Sequence, residues 1–292
     1  MSIEQRVTAA DGTGLLTRYW PAFATDDSDG PWAHVLIVHG LGEHSGRYEQ
    51  VGAQFSAAGC AVHAYDHRGN GASDGRRGHV DRWSRLHDDL ADRHGSVRAA
   101  AGGRPVVFYG HSLGGLVVAG YCLSARPRPD AVVLSSPGLD STLSAWKKGL
   151  AAGLGQWLPR VPIPNGVDPS TLSRDPAVGE RMAADPLCAT TSTLGFGAEG
   201  LREQARVRAA AGRGLGVPTL VLHGEDDGLV PVDATAVFEG APDTTRRTFP
   251  GLRHELHNEP EGPAIVAEII DWLRDRMSPG PRAPHPGARR TA

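Results

Sequence analysis

Short, almost unbroken apolar runs recur along this chain between glycine-rich turns: AHVLIVHG at 33–40, CAVHAYDHRG at 60–69, PVVFYG at 105–110, AVVLSS at 131–136 and PTLVLHG at 218–224. Runs that are apolar throughout, rather than alternating, predict strands buried on both faces. Longer stretches with helical periodicity separate them, as over 80–101 and 113–125. The alternation predicts a mostly parallel sheet with helices on both faces, in which ligands collect at the carboxyl ends of the strands. GLLTRYWPA, from Gly14, predicts an antiparallel edge strand ended by Pro21.

The rhythm stops between Pro137 and Gly197, where prolines crowd LPRVPIPNGVDP. That break predicts an inserted cap or lid. The pattern returns at 218 and closes on GPAIVAEIIDWLRDRM, in which Ile265, Ile269, Trp272 and Leu273 share one helical face. The tail that follows is rich in Pro, Gly and Arg and predicts disorder. The expected division is therefore a core over 1–137 and 199–278, a cap over 138–198 and a disordered tail over 279–292.

Composition narrows the class. A chain of 292 residues suits one large α/β domain with an insertion. The net charge is −3 and opposite charges interleave, as in HVDRWSRLHDDLADRH, which describes a solvated helix face and argues against a nucleic-acid partner. Cys60, Cys122 and Cys188 are widely spaced in apolar surroundings and are expected to be small buried hydrophobes, not a disulfide framework or zinc site. The N-terminus lacks a signal pattern, and no stretch approaches the roughly 20 apolar residues that span a bilayer, so a cytoplasmic protein is expected.

The chemistry concentrates in VVFYGHSLGG, where a strand runs into Gly110-His111-Ser112-Leu113-Gly114 and then a helix. This is G-x-S-x-G in the context the motif requires: the flanking glycines let strand and helix approach, so Ser112 can occupy a sharp turn with its hydroxyl exposed. The plainer alternatives are a generic glycine-rich turn or a phosphate loop without its lysine. A serine nucleophile needs a base, and the base an orienting acid, in the chain order Ser, Asp or Glu, His. After the strand PTLVLHG come Asp226 and Asp227, either of which fits the acid, although paired turn carboxylates are also common after strands.

GLRHELHNEP then supplies His254 and His257. A metal-binding H-E-x-x-H needs histidines four apart, and these are three apart, so no metal is expected. His254 follows a strand ending at Phe249 and precedes the last helix, which suits the base; His257 is assigned a supporting place. In this fold the oxyanion is held by the amide after the nucleophile and one from an earlier loop, here Leu113 and Leu41.

Taken together, HGLGEHSGRY, YDHRGNGASDGRRGHV, GHSLGG, LSSPGLD, TLSRDP, ADPLC, GEDDGLVP and HELHNEP resemble the monoacylglycerol lipase family of the α/β-hydrolases over nearly the whole chain. The resemblance implies a serine ester hydrolase without a cofactor that cleaves monoacylglycerols, with a broader carboxylesterase or lysophospholipase as the alternative. It places the nucleophile on Ser112, the base on His254 and, through its G-x-x-D pattern, the acid on Asp227. It sets Glu43, Arg47 and His111 near the glycerol end of the substrate, and His257 is grouped with them. In the cap, Leu143, Trp146, Leu150, Leu154, Trp157 and Leu158 recur at helical steps beside Lys147 and Lys148. That stripe either packs the cap onto the core and lines an acyl tunnel, or faces outward as a peripheral membrane contact.

Overall fold

A computed structural model describes residues 1–23, 30–142, 144, 149 and 153–277. The tail over 279–292 lies outside the described residues, as do Leu143, Trp146, Leu150, Lys147 and Lys148 of the cap stripe. The elements run β1 (Ile3–Thr8), β2 (Gly14–Trp20), β3 (Ala33–Val38), α1 (Glu49–Ala57), β4 (Cys60–Tyr65), α2 (Ser84–Ala101), β5 (Val106–His111), α3 (Leu113–Cys122) and β6 (Ala131–Ser135). They continue with β7 (Pro162–Pro164), α4 (Pro176–Ala184), β8 (Thr191–Thr193), α5 (Leu194–Ala210), β9 (Thr219–Gly224), β10 (Thr244–Phe249) and α6 (Gly262–Met277).

Eight strands form one sheet in the order β1-β2-β4-β3-β5-β6-β9-β10, antiparallel from β1 to β4 and parallel from there on. The unbroken apolar strands read as two-faced because each alternates between two cores. Leu36, Val38, Val106 and Phe108 pack with residues of α2 and α3, while Val35, Ile37, Val107 and Tyr109 pack with residues of α1 and α6. The chain leaves β3 to one side for β4 and returns to the other for β5, so the strand order reverses at β3. A reversal of that kind opens a crevice at the carboxyl ends of the neighbouring strands.

Three expectations need correction. β2 is antiparallel but not the edge, because the polar, largely exposed β1 pairs outside it with Ile3 opposite Tyr19. The helix expected from Val80 begins at Ser84, and the Trp83 amide just ahead of it donates to Glu199 Oε2 of α5 at 2.9 Å. Cys60 and Cys122 are buried, but Cys188 is only half-buried and lies beside His44 and Asp185, not among apolar neighbours alone.

Within the span expected as the cap, β7 and β8 form a short antiparallel pair with Ile163 opposite Ser192. Helix α4 starts on Pro176 with Asp175 accepting from the Ala177 amide, a proline-plus-aspartate start that satisfies an amide the helix cannot. The division expected at 198 falls inside α5, which begins at Leu194 with Thr193 as its cap. No helix among the described residues is long and apolar enough to cross a membrane.

Candidate active site

Ser112 sits in the first turn after β5, at φ 51 and ψ −117. A non-glycine residue there is strained by about 1–3 kcal/mol and persists only where its surroundings dictate it. Three hydrogen bonds do so: the Ser112 amide donates to Ser135 O at 3.0 Å, and the Ser112 carbonyl accepts from Leu116 at 3.1 Å and Gly138 at 2.8 Å. The flanking glycines are required sterically. A Cβ on Gly110 would lie 2.7 Å from Gly114 O, one on Gly114 would overlap Val38 O, and one on Gly115 would lie 2.8 Å from Pro137. Ser112 is half-buried and reaches the wall of a cavity of about 300 Å³.

His254, in the loop after β10, lines the same cavity. Its Nδ1–H donates to Asp227 Oδ2 at 2.7 Å. Burial disfavours the charged ring, but the bond to the Asp227 carboxylate outweighs it and raises the His254 pKa above 6.5. Asp227, after β9, is buried, whereas Asp226 is exposed. Asp227 Oδ1 accepts from the Leu229 and Val230 amides at 2.8 and 2.9 Å, and Oδ2 accepts a second imidazole, His223 Nε2, at 2.9 Å. Burial works against its charge, yet the bonds from His223 and His254 hold its carboxyl well below the ordinary carboxylate range. His223 belongs to the apolar run of β9 and gave no sequence signal apart from its spacing of four from Asp227.

Leu41 and Leu113 both face the cavity. Leu113 opens α3, so its amide has no carbonyl of its own helix to pair with, and Leu41 lies in the loop after β3. A network beneath sets the shape of that loop. Glu43 Oε1 accepts the Gly40 amide at 2.5 Å and the Tyr48 hydroxyl at 2.7 Å, and Oε2 accepts from Arg47 at 2.5 Å. Arg47 in turn forks onto Glu255 at 2.6 and 2.9 Å. Burial would raise the Glu43 pKa, but the Arg47 guanidinium pulls it down to about 2. Gly40 approaches closely enough that a Cβ there would lie 3.3 Å from the Ser112 Cβ.

Glu43, Arg47 and His111 all line the cavity. The Glu43 carboxylate is occupied by protein donors, and His111 donates Nδ1–H to Ser135 O at 3.1 Å. His257 is not on the cavity wall. It stacks on Tyr48 and meets His111 edge-on behind it, with neither ring nitrogen hydrogen-bonded among the described residues. Glu255, absent from the sequence expectations, joins the loop of His254 to Arg47.

His44, Asp185 and Cys188 bring potential ligand atoms within 4.8 Å of one another. The hydrogen bonds there disfavour a metal. His44 Nδ1 accepts the Gly46 amide at 3.1 Å, so the ring proton resides on Nε2 and donates to Asp185 at 2.8 Å, leaving no lone pair on that side.

The sheet, the strained serine after β5, and a histidine–aspartate pair from later loops at one cavity define an α/β-hydrolase of the serine type. Residues 29–261 match the family described as "Serine aminopeptidase, S33". The chain is 34% identical over 278 residues to the monoacylglycerol lipase of Mycolicibacterium smegmatis, covering 92% of this chain and 96% of that protein. It is 33% identical over 285 residues to the monoglyceride lipase of Rattus norvegicus, covering 92% and 89%. The crystal structure of Paleococcus ferrophilus monoacylglycerol lipase matches with a TM-score of 0.78 at 30% identity, covering 90% of this chain and 99% of that one. The chain belongs to the monoacylglycerol lipase family of the α/β-hydrolases.

Proposed function

We propose that this protein hydrolyses monoacylglycerols to a fatty acid and glycerol through an acyl-enzyme on Ser112. The observation that carries the reading is the convergence of Ser112 and the Asp227-bound His254 on one cavity whose wall includes Leu116, Ile163, Leu172, Met182, Phe196 and Leu229. An apolar wall of that kind suits an acyl chain.

In this reading His254 Nε2 takes the Ser112 hydroxyl proton as Oγ attacks the ester carbonyl carbon. Asp227 keeps the ring proton on Nδ1 and stabilises the imidazolium that forms. The amides of Leu41 and Leu113 hold the oxyanion, and the intermediate collapses as His254 returns its proton to the departing glycerol oxygen. Water then attacks the acyl carbon with His254 as base, the fatty acid leaves, and the proton goes back to Ser112. Glu43 and Arg47 serve by fixing the oxyanion loop, and His111 by packing against His254.

The decisive experiment measures fatty-acid release from monoacylglycerols against di- and triacylglycerols, lysophospholipids and an aminoacyl amide. Preference for monoacylglycerols is expected, and a preference for any of the others would displace the reading.

The cap also supports a peripheral contact with a lipid surface. Trp157 is 85% exposed, and Leu154, Leu158 and Val161 are exposed around it, next to Arg160. An exposed aromatic in an aliphatic patch with a cation at its margin matches the headgroup boundary of a bilayer.

A further inference from the structure

We propose that His223 is a positioning residue for catalysis, holding Asp227 Oδ2 as a second imidazole donor beside His254. The proposal rests on the assignment of Ser112, His254 and Asp227 to the reaction.

His223 is fully buried on β9, in a strand otherwise made of Thr, Leu, Val and Gly. A buried imidazole costs free energy unless it is hydrogen-bonded. Its Nε2 lies 2.9 Å from Asp227 Oδ2 and 3.0 Å from Val230 O, both acceptors, so Nε2 must carry the proton and share it between them. Nδ1 has no partner among the described residues. The ring therefore acts as a donor through Nε2 alone.

The arrangement closes the loop that carries Asp227. Oδ1 is gripped by the Leu229 and Val230 amides, and His223 ties Oδ2 to the carbonyl of the same Val230. Without His223, Oδ2 would be held among the described residues by His254 alone, the ring whose protonation alternates during turnover. With it, the carboxylate keeps its place through both protonation states. The second donor also draws charge from the oxygen that His254 faces, which weakens the stabilisation of the imidazolium. The other charged or titratable groups around His254 are His111 on β5, Glu43 and Arg47 from the loop after β3, and Glu255 and His257 from its own loop. None of them donates to Asp227 among the described residues.

The test compares wild type, His223→Leu and His223→Gln on a soluble short-chain ester across pH, with a fluorophosphonate counting competent sites and thermal unfolding recording stability. His223→Leu is expected to lower kcat about 10- to 100-fold per competent site, the scale of losing a hydrogen bond to a charged group, with little change in KM. It should also move the acid limb of kcat/KM to higher pH, because an undivided Oδ2 charge favours protonated His254. His223→Gln, which restores an N–H donor, should recover the limb and most of kcat. An unmoved or lowered limb, or a loss that follows stability and that Gln does not recover, would overturn the proposal.

If His223→Leu does not fold, Gln and His223→Met carry the same comparison. Asp227→Asn alone separates the two claims. Full activity in that variant removes the underlying triad, whereas loss of activity there with an unchanged limb in the His223 variants removes only the role of His223.

Discussion

Arg47 and Glu255 are 208 positions apart, and the two nitrogens of the one close on the two oxygens of the other at 2.6 and 2.9 Å. This forked pair ties the loop after β3, which carries the Leu41 amide, to the loop after β10, which carries His254. Bidentate Arg–carboxylate contacts fix orientation as well as distance. The loop of Leu41 and the loop of His254 are therefore positioned against each other and not separately.

Replacing Ser112 with Ala should reduce ester turnover by about four to six orders of magnitude while the fold persists. A fluorophosphonate should label wild type at Ser112 and leave Ser112→Ala unlabelled; mass spectrometry of the tryptic peptide reads both.

Asp227→Asn should cost about 10⁴ in kcat, because an amide favours the wrong tautomer of His254. Asp226→Asn, at an exposed position, should stay within a few-fold of wild type. Reversed losses would mean that the neighbouring carboxylate had been misassigned.

His254 must be neutral to accept the serine proton, and its pKa lies above 6.5. The acid limb of kcat/KM should therefore fall above pH 6.5, with activity rising as pH increases through it. The linkage to stability has the opposite sense: a raised folded-state pKa contributes stability below pH 6.5 that is lost as pH climbs through the folded value. Initial rates on a soluble ester and parallel denaturant melts would show the two trends diverging.

Glu43→Gln separates a scaffold from a binding group. If Glu43 acts as a scaffold, kcat should drop about 10- to 100-fold with KM nearly constant, because Gln can still accept the Gly40 amide but turns an N–H toward Arg47 and lets the loop shift. A rise in KM at unchanged kcat would instead put Glu43 on the glycerol. Its depressed pKa, about 2 against 4.5, contributes stability present above pH 4.5 and lost as pH falls toward 2. Acid titration of the variant should lack that component.

Trp157→Ser should weaken flotation with phosphatidylcholine–phosphatidylglycerol vesicles while hydrolysis of a soluble ester is retained. Equal flotation of both proteins, or none of either, would assign the patch to another role.

Much of this arrangement is written in local patterns. Strands β3, β5, β6 and β9 are apolar on both faces because both are covered, and so they stand out. β1 does not: its residues IEQRVT are mostly exposed, so β2 reads as the edge. β7 and β8 are too short, and β7 too proline-rich, for any period to register. Ser112, Asp227 and His254 were legible because each follows a strand in a recognisable motif. His223 and Glu255 were not, since a histidine inside an apolar run and a glutamate beside a histidine acquire meaning only through partners brought in by folding. His257 illustrates the converse, for the sequence groups it with the substrate-facing residues while its ring packs behind the cavity wall.

The Gly138 amide, which secures the carbonyl of Ser112, comes at the first step of the chain's excursion away from the sheet, and the Gly138 carbonyl is held in turn by Gln204 of α5 at 2.9 Å. The excursion and the serine turn are thus joined by a backbone hydrogen bond, which limits how freely this part of the molecule can be exchanged among relatives. A chimera spliced beyond Leu139 keeps its own latch on the serine and can inherit a foreign acyl preference. One spliced ahead of Gly138 keeps the latch only where the donor chain brings a backbone amide to the same place, so the path of its backbone there decides whether the Ser112 carbonyl stays held.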